Sequence, residues 1–431
     1  MINTLKATIS NKILRNTTWI FAGNVVWVLI SFGASIVVAR TLSLVDYGTL
    51  QLASTWFLFI QLFENLAHPN VAKIEMVKNQ DRVGSYIIAI GLIGSLVGII
   101  FSAVIGLLFF VRGDTLLLFV LMMTIGQAFK FYSGIVYYFD NKLQALKTQI
   151  ILFFGNSAGA TYRITAAHFS VSSFSQVFVV LVTNVTCVLG SLAVAKGELR
   201  SLINHGFDRN ILVGLMKKSA PLLMVSILSL LVYRQDILIL GFFGMERDIA
   251  LYSNAVKISE PWGFIASGLI SSMLPGLILS KSKSLSAYYR RLRMLFFLLS
   301  LAAIALAAMI SIFADVIVRS TFGAQYGDIV PLLRVHIWSN LFLFYVSVQQ
   351  VWEANESMHR FLLYKTVGAV LLNLVLNYCF VPKYGAMACA INSVVTYFFL
   401  GFGVNMFTKK TRFINGHYLR AWIGWKNDFK G

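Results

Sequence analysis

Four cations stand where a cation is costly: Lys130, Arg163, Arg234 and Lys257 all fall inside long apolar runs, as do the acids Glu64, Asp236, Glu260 and Glu353. Runs of about 20 mostly apolar residues read as bilayer spans, and an ionisable side chain inside one marks a binding site, an ion path or a buried pair. For guanidinium and ammonium groups the available chemistry is recognition of phosphate or carboxylate oxygens, with arginine able to match two at once. The four acids offer exchange of a proton or a sodium ion. Each charge also has a plainer role as half of an interhelical ion pair, and Lys257 and Glu260, spaced i, i+3, can pair with each other on one helix face.

Trp338, Tyr345 and Trp352 recur every seven residues and so share a helix face with Gln349 beside them. Such a stripe either stacks on sugar rings or packs against a neighbouring helix. Asn373 and Asn377, four residues apart, suit hydrogen bonding between membrane helices. His336 reads as a hydrogen-bonded structural histidine, with a proton relay as its alternative. Pro261, immediately after Glu260, is the expected hinge among Pro221, Pro261, Pro275 and Pro331.

Other chemistries have no residues to carry them. There is no G-x-x-x-x-G-K-[ST] phosphate loop, the six histidines show no H-x-x-x-H spacing, and Cys187, Cys379 and Cys389 form no metal-like or redox-like pair. No cofactor or metal is expected. The short exterior loops leave no room for a catalytic domain, so an enzyme is not expected either.

The elements that position these residues follow from composition. At 58% hydrophobic and 12% charged over 431 residues, with mean hydropathy +0.76, the chain is a polytopic membrane protein. A net charge of +19 invites a nucleic-acid reading, but no basic cluster belongs to a polar domain. Apolar length and charge breaks predict twelve helices at 17–40, 47–68, 83–111, 115–139, 148–167, 174–195, 219–241, 250–279, 294–314, 331–353, 361–381 and 386–407. The loops on one side hold 26 of the 36 Lys and Arg residues and the alternate loops only Arg40, Arg112, Arg247, Arg319 and Lys383, which puts both termini in the cytoplasm.

The chain also repeats itself. Arg15 precedes Tyr47 by 32 residues and Pro69 follows it by 22, while Lys218 precedes Tyr252 by 34 and Pro275 follows it by 23. Six helices per half make this a parallel repeat, in which a substrate path is expected between the halves. The expected division is a first lobe at 1–195, a cytoplasmic linker at 196–218, a second lobe at 219–407 and a basic aromatic tail at 408–431. Residues 1–15 and the tail, with Phe413, Tyr418, Trp422 and Trp425 among lysines and arginines, read either as interfacial amphipathic helices or as frayed ends.

With Ala39-Arg40-Thr41-Leu42-Ser43-Leu44-Val45-Asp46-Tyr47-Gly48 after the first span, and Arg234-Gln235-Asp236-Ile237-Leu238-Ile239-Leu240-Gly241 leading to Leu251-Tyr252-Ser253-Asn254-Ala255 and Ile258-Ser259-Glu260, the chain resembles the O-antigen and capsule repeat-unit flippases of the multidrug/oligosaccharidyl-lipid/polysaccharide exporter superfamily. The resemblance implies an all-α bundle of two six-helix lobes around a cationic central cavity. It implies transfer of an undecaprenyl-pyrophosphate-linked oligosaccharide from the cytoplasmic to the periplasmic leaflet of a bacterial inner membrane, alongside other polysaccharide assembly proteins. Arg234, Arg163, Lys130 and Lys257 would then line the cavity, Arg234 foremost because it lies in the motif. A cation-coupled multidrug exporter of the same superfamily is the alternative, and a polysaccharide polymerase or ligase the second.

Overall fold

The computed structural model describes residues 2–169, 172–198 and 206–423, with side chains described from residue 18 onward except at 21, 275 and 359. Among the described residues the chain is helical and contains no strand. It divides into two compact units, Met1–Leu230 and Leu231–Gly431.

In the first unit, α1 (Ile2–Thr41) leads to α2 (Leu44–Gln61), which starts where the Ser43 hydroxyl accepts a hydrogen bond from the Asp46 amide at 3.1 Å. A tight turn at Leu62–Ala67 and the short α3 (Pro69–Lys78) follow. The long α4 (Val83–Arg112) ends at Gly113 in the left-handed conformation, and the Asp114 side chain opens α5 (Thr115–Gln127). A break of 44° separates α5 from the segment that carries α6 (Ser133–Asn141), before α7 (Ala145–Phe169) and α8 (Val179–Ala195). A core of Tyr86, Ile90, Ile93, Phe139, Ile151 and Cys187 holds these helices together.

Between the units runs α9 (Arg209–Phe242), whose Ile211 and Leu215 belong to that first core. The second unit continues with α10 (Glu246–Ser259), α11 (Gly263–Lys283) and α12 (Leu285–Thr321). Then come α13 (Ile329–His336), α14 (Ser339–Asn355), α15 (His359–Phe398) and α16 (Lys409–Ile423). Its core centres on Leu292, Phe296, Leu299, Phe344, Trp352 and Tyr418.

The twelve expected spans all coincide with helical segments, six in each half of the chain. Among the described residues seven helices are long and apolar enough to cross a membrane singly, and two bent pairs raise the number to nine. Arg360–Phe407, at 48 residues, is two spans joined at Gly385 (φ 51°, ψ −135°). That glycine is required twice over, since its backbone suits no L side chain and a Cβ there would press on the Asp248 carboxylate. Asp248 accepts from the Ala386 amide at 2.9 Å, which caps the twelfth span. The remaining two expected spans, α2 and α7, are helical but less apolar, because Ser54 and Gln61 of α2 and Asn156 and Arg163 of α7 line a cavity.

The eighth segment is interrupted at Pro261, between α10 and α11, and bends by a further 43° between Leu274 and Gly276. The tail is not frayed over Lys409–Ile423: Ile414, Tyr418 and Ala421 of α16 are buried in the second core. Trp425 lies outside the described residues, as do the side chains of residues 1–15.

Candidate functional site

The break between α5 and α6 builds the first charged site. Gly91, Gly94 and Gly98 share one face of α4 and admit the backbone of residues 127–131 closely; a Cβ at Gly98 would collide with Gln127 and Ala128. Breaking a helix in a membrane frees backbone groups that need partners. Asn184 of α8 supplies one, donating to the Gly126 carbonyl at 3.0 Å while accepting from the Tyr132 hydroxyl at 3.3 Å. So fixed, the break presents Lys130, whose ammonium meets Glu64 at 2.7 Å, and Gln127 donates to the same carboxylate.

Lys130 and Arg163 share a cavity of about 540 Å³ within the first unit, with Gln61, Asn156, Thr183 and Asn184 among its polar walls. The two cations differ in one respect. Lys130 is answered by Glu64, whereas among the described residues Arg163 has no acidic partner, and its Nε is buried without a hydrogen-bond partner. A permanently charged guanidinium with open donors, in a cavity whose other cation is neutralised, offers a place for an anion.

In the second unit Arg234 makes a two-pronged pair with Glu260, Nη1 to Oε1 at 3.0 Å and Nη2 to Oε2 at 2.8 Å, with both side chains about three-quarters buried. Glu260 is thus held by a residue 26 positions away on another helix; Lys257 is half-buried on α10. Two residues from Arg234, Asp236 faces a different environment, as 100° per residue round a helix requires. It is 1% exposed and accepts from the Tyr252 hydroxyl at 2.6 Å, the Ser393 hydroxyl at 2.9 Å and the Asn377 amide. Asn377 continues to Asn373 at 2.8 Å and Asn392 at 2.9 Å, so the asparagine pair is interhelical glue built around a carboxylate.

Glu353 is held by Lys365 at 2.6 Å, both fully buried, with Gln349 donating to the same oxygen at 2.8 Å. Lys365 is not among the candidate residues the sequence points to, although it falls inside the expected span 361–381; it lies within α15. Its position four residues into an apolar run was the available signal. Thus Glu64, Glu260 and Glu353 each hold a cation, and Asp236 alone of the four candidate acids is met only by neutral donors among the described residues.

The aromatic stripe is also corrected. The helix breaks between α13 and α14, so Trp338 stands at the turn while Tyr345 and Trp352 lie in α14. Tyr345 accepts from Ser300 at 2.8 Å and packs against Phe402 and Tyr418, and Trp352 is 1% exposed, leaving neither ring a face for a sugar. His336 is buried with Nδ1 2.7 Å from the Ser259 hydroxyl, a structural contact.

The family model described as "Polysaccharide biosynthesis protein" matches residues 13–275. No curated protein matches the chain. Among solved structures, the inward-facing conformation of a multidrug resistance MATE family transporter of the MOP superfamily is similar at 15% identity and a TM-score of 0.66, over 94% of this chain and 96% of that one. The inward closed conformation of the lipid II flippase MurJ is similar at 14% identity and 0.64, over 93% and 90%. A MOP superfamily transporter from Pyrococcus furiosus, described as having a binding pocket of reverse polarity, is similar at 13% and 0.61, over 97% and 96%. At these identities the likeness is one of fold.

Proposed function

The chain belongs to the polysaccharide biosynthesis protein family, and on that premise we propose that it is a flippase for a lipid-linked oligosaccharide carried on a pyrophosphate. The observation that carries the reading is Arg163, a half-buried guanidinium whose Nε is buried without a partner and which has no acidic partner among the described residues, in a polar cavity inside an apolar bundle. We place the pyrophosphate there, with Lys130 beside it. Glu64 holds Lys130 in position and keeps the empty cavity from carrying two uncompensated charges. Arg234 and Lys257 are the corresponding cations of the second lobe, Arg234 reaching an anion only by exchanging it for Glu260.

The proposed direction, from the cytoplasmic to the periplasmic leaflet of a bacterial inner membrane, is the one the family resemblance implies, and the loop charges support cytoplasmic termini. An inside-negative potential favours outward movement of an anion by about 2.3 kcal/mol per charge per 100 mV. The two lobes, divided at 196–218, alternate access by rocking, and no chemical step on the substrate is involved. Asp236 is the proposed carrier of a coupling proton or cation. Its buried carboxylate has only neutral donors around it, so taking up a cation does not require breaking an ion pair. Glu64, Glu260 and Glu353 would each have to release theirs.

A multidrug exporter of cations shares the fold, but such a substrate would meet an uncompensated guanidinium in this cavity. The test is leaflet-resolved measurement of pyrophosphate-linked saccharide in cells carrying Arg163→Gln or Asp236→Asn. Both variants should strand the saccharide in the cytoplasmic leaflet at normal protein abundance. Undiminished transfer in Arg163→Gln would contradict the anion site.

A further inference from the structure

We infer that the groove between α1 and α7 holds the first isoprene units of the lipid whose head lies beside Arg163; this rests on the flippase reading. The groove measures about 430 Å³ and is walled by Trp19 and Trp27 of α1 and by Ile150, Phe153 and Phe154 of α7. Apolar side chains facing a bilayer need no ligand to explain them, so the inference rests on three other features. The face is concave, where a helix surface packed only by bulk lipid has no need of a hollow. It adjoins the cationic cavity, since Trp27 and Asn156 line both.

The third feature is the order of polarity along the groove. Mostly apolar walls, with Asn24 and Gln149 among them, give way to Asn156 and Ser157, and the Ser157 hydroxyl is buried without a hydrogen-bond partner. Arg163 stands seven residues beyond Asn156, two turns along the same helix. An apolar chain, a polar junction and an anion are met in that sequence by a polyprenyl pyrophosphate. A soluble anion would use the cavity alone, and a zwitterionic phospholipid would bring its own ammonium toward Arg163. The carrier's tail therefore leaves the site along the first unit, between α1 and α7.

Native mass spectrometry of detergent-solubilised protein tests this with two probes that share a head and differ in tail, undecaprenyl pyrophosphate and isopentenyl pyrophosphate. Ile150→Trp fills the groove and should weaken the long probe by about tenfold, the contact of roughly two methylenes. It should leave the short probe unchanged, which also shows that the variant is folded. Leu107→Trp, on an exposed apolar face of α4, should change neither, and Arg163→Gln should weaken both. An unchanged long-probe affinity in Ile150→Trp would overturn the groove assignment, as would equal weakening of both probes. Competition by dioleoyl phosphatidic acid as strong as that of the long probe would also overturn it, in favour of an ordinary acyl chain. Wild-type protein that binds neither pyrophosphate would instead bring down the flippase reading itself.

Discussion

A guanidinium keeps its charge in any environment a protein offers, so the acid that answers it decides what it can do. Arg163 has no acidic partner among the described residues and Arg234 has Glu260. Arg163→Lys should keep partial transfer, and Arg163→Gln should lose it without loss of folded protein, because no acid is orphaned. Arg234→Gln leaves Glu260 uncompensated and should cost about 3 kcal/mol, the lower end for a buried pair given its partial exposure. Membrane abundance should fall and be restored by the double change Arg234→Gln, Glu260→Gln, whose coupling measures the pair. A normal level in the single variant would remove Glu260 as the partner that matters.

The sequence named all of these residues but not their pairing. Glu260 had Lys257 one turn away and Arg234 a whole helix away, and it is the turn after α9 that brings Arg234 to it. Outside the spans, Glu198 is pulled down from the ordinary 4.5 to about 2 by the Tyr138 hydroxyl, with Lys147 and Lys142 adding to it. A depressed carboxylate contributes its stability in full above the ordinary value and loses it as pH falls from there toward the folded value. Thermal unfolding should therefore lose more between pH 6 and pH 3 in wild type than in Glu198→Gln, with solvent screening keeping the difference small. Equal losses would mean that the contacts to Glu198 add no stability.

Among elements, apolar length and charge breaks located all twelve spans, yet three features of those spans lay beyond periodicity. The 44° break after Gln127 contains no proline; it depends on the glycine face of α4 and on Asn184, both distant in sequence. The eighth segment carries both an interruption at Pro261 and a 43° bend between Leu274 and Gly276, and the sequence alone ranks neither above the other. Docking of α16 on Phe296 and Tyr345 follows from Tyr418 filling a gap in that core, which a basic, aromatic tail does not announce. The Gly385 turn is the sharpest test at this scale. Gly385→Ala forces an L residue into a glycine-only conformation against Asp248 and should cost about 1–3 kcal/mol, read as a lower melting temperature of the purified protein. An unchanged melting temperature would mean that the two spans are not joined as described.

At the scale of the molecule, the repeat of basic, tyrosine and proline landmarks made two halves legible, and the described chain divides into two compact units, Met1–Leu230 and Leu231–Gly431. What sequence could not rank was the charges, because a membrane-embedded cation looks the same whether paired or open. The orientation is tested with single cysteines: those at Ser43, Arg247 and Gln325 should react with an impermeant thiol reagent outside the inner membrane, and those at Asn79 and Ser284 should not. Reaction of the second set in intact cells would invert the topology.

The central claim is transfer of an anionic lipid-linked saccharide through a site that depends on Arg163. The most direct measurement is leaflet-resolved movement of a fluorescent undecaprenyl-pyrophosphate-linked saccharide in proteoliposomes containing only this protein. Transfer by wild type, reduced transfer by Arg163→Lys and none by Arg163→Gln is the predicted result; equal transfer by wild type and Arg163→Gln, or none by wild type under an inside-negative potential, would contradict the account.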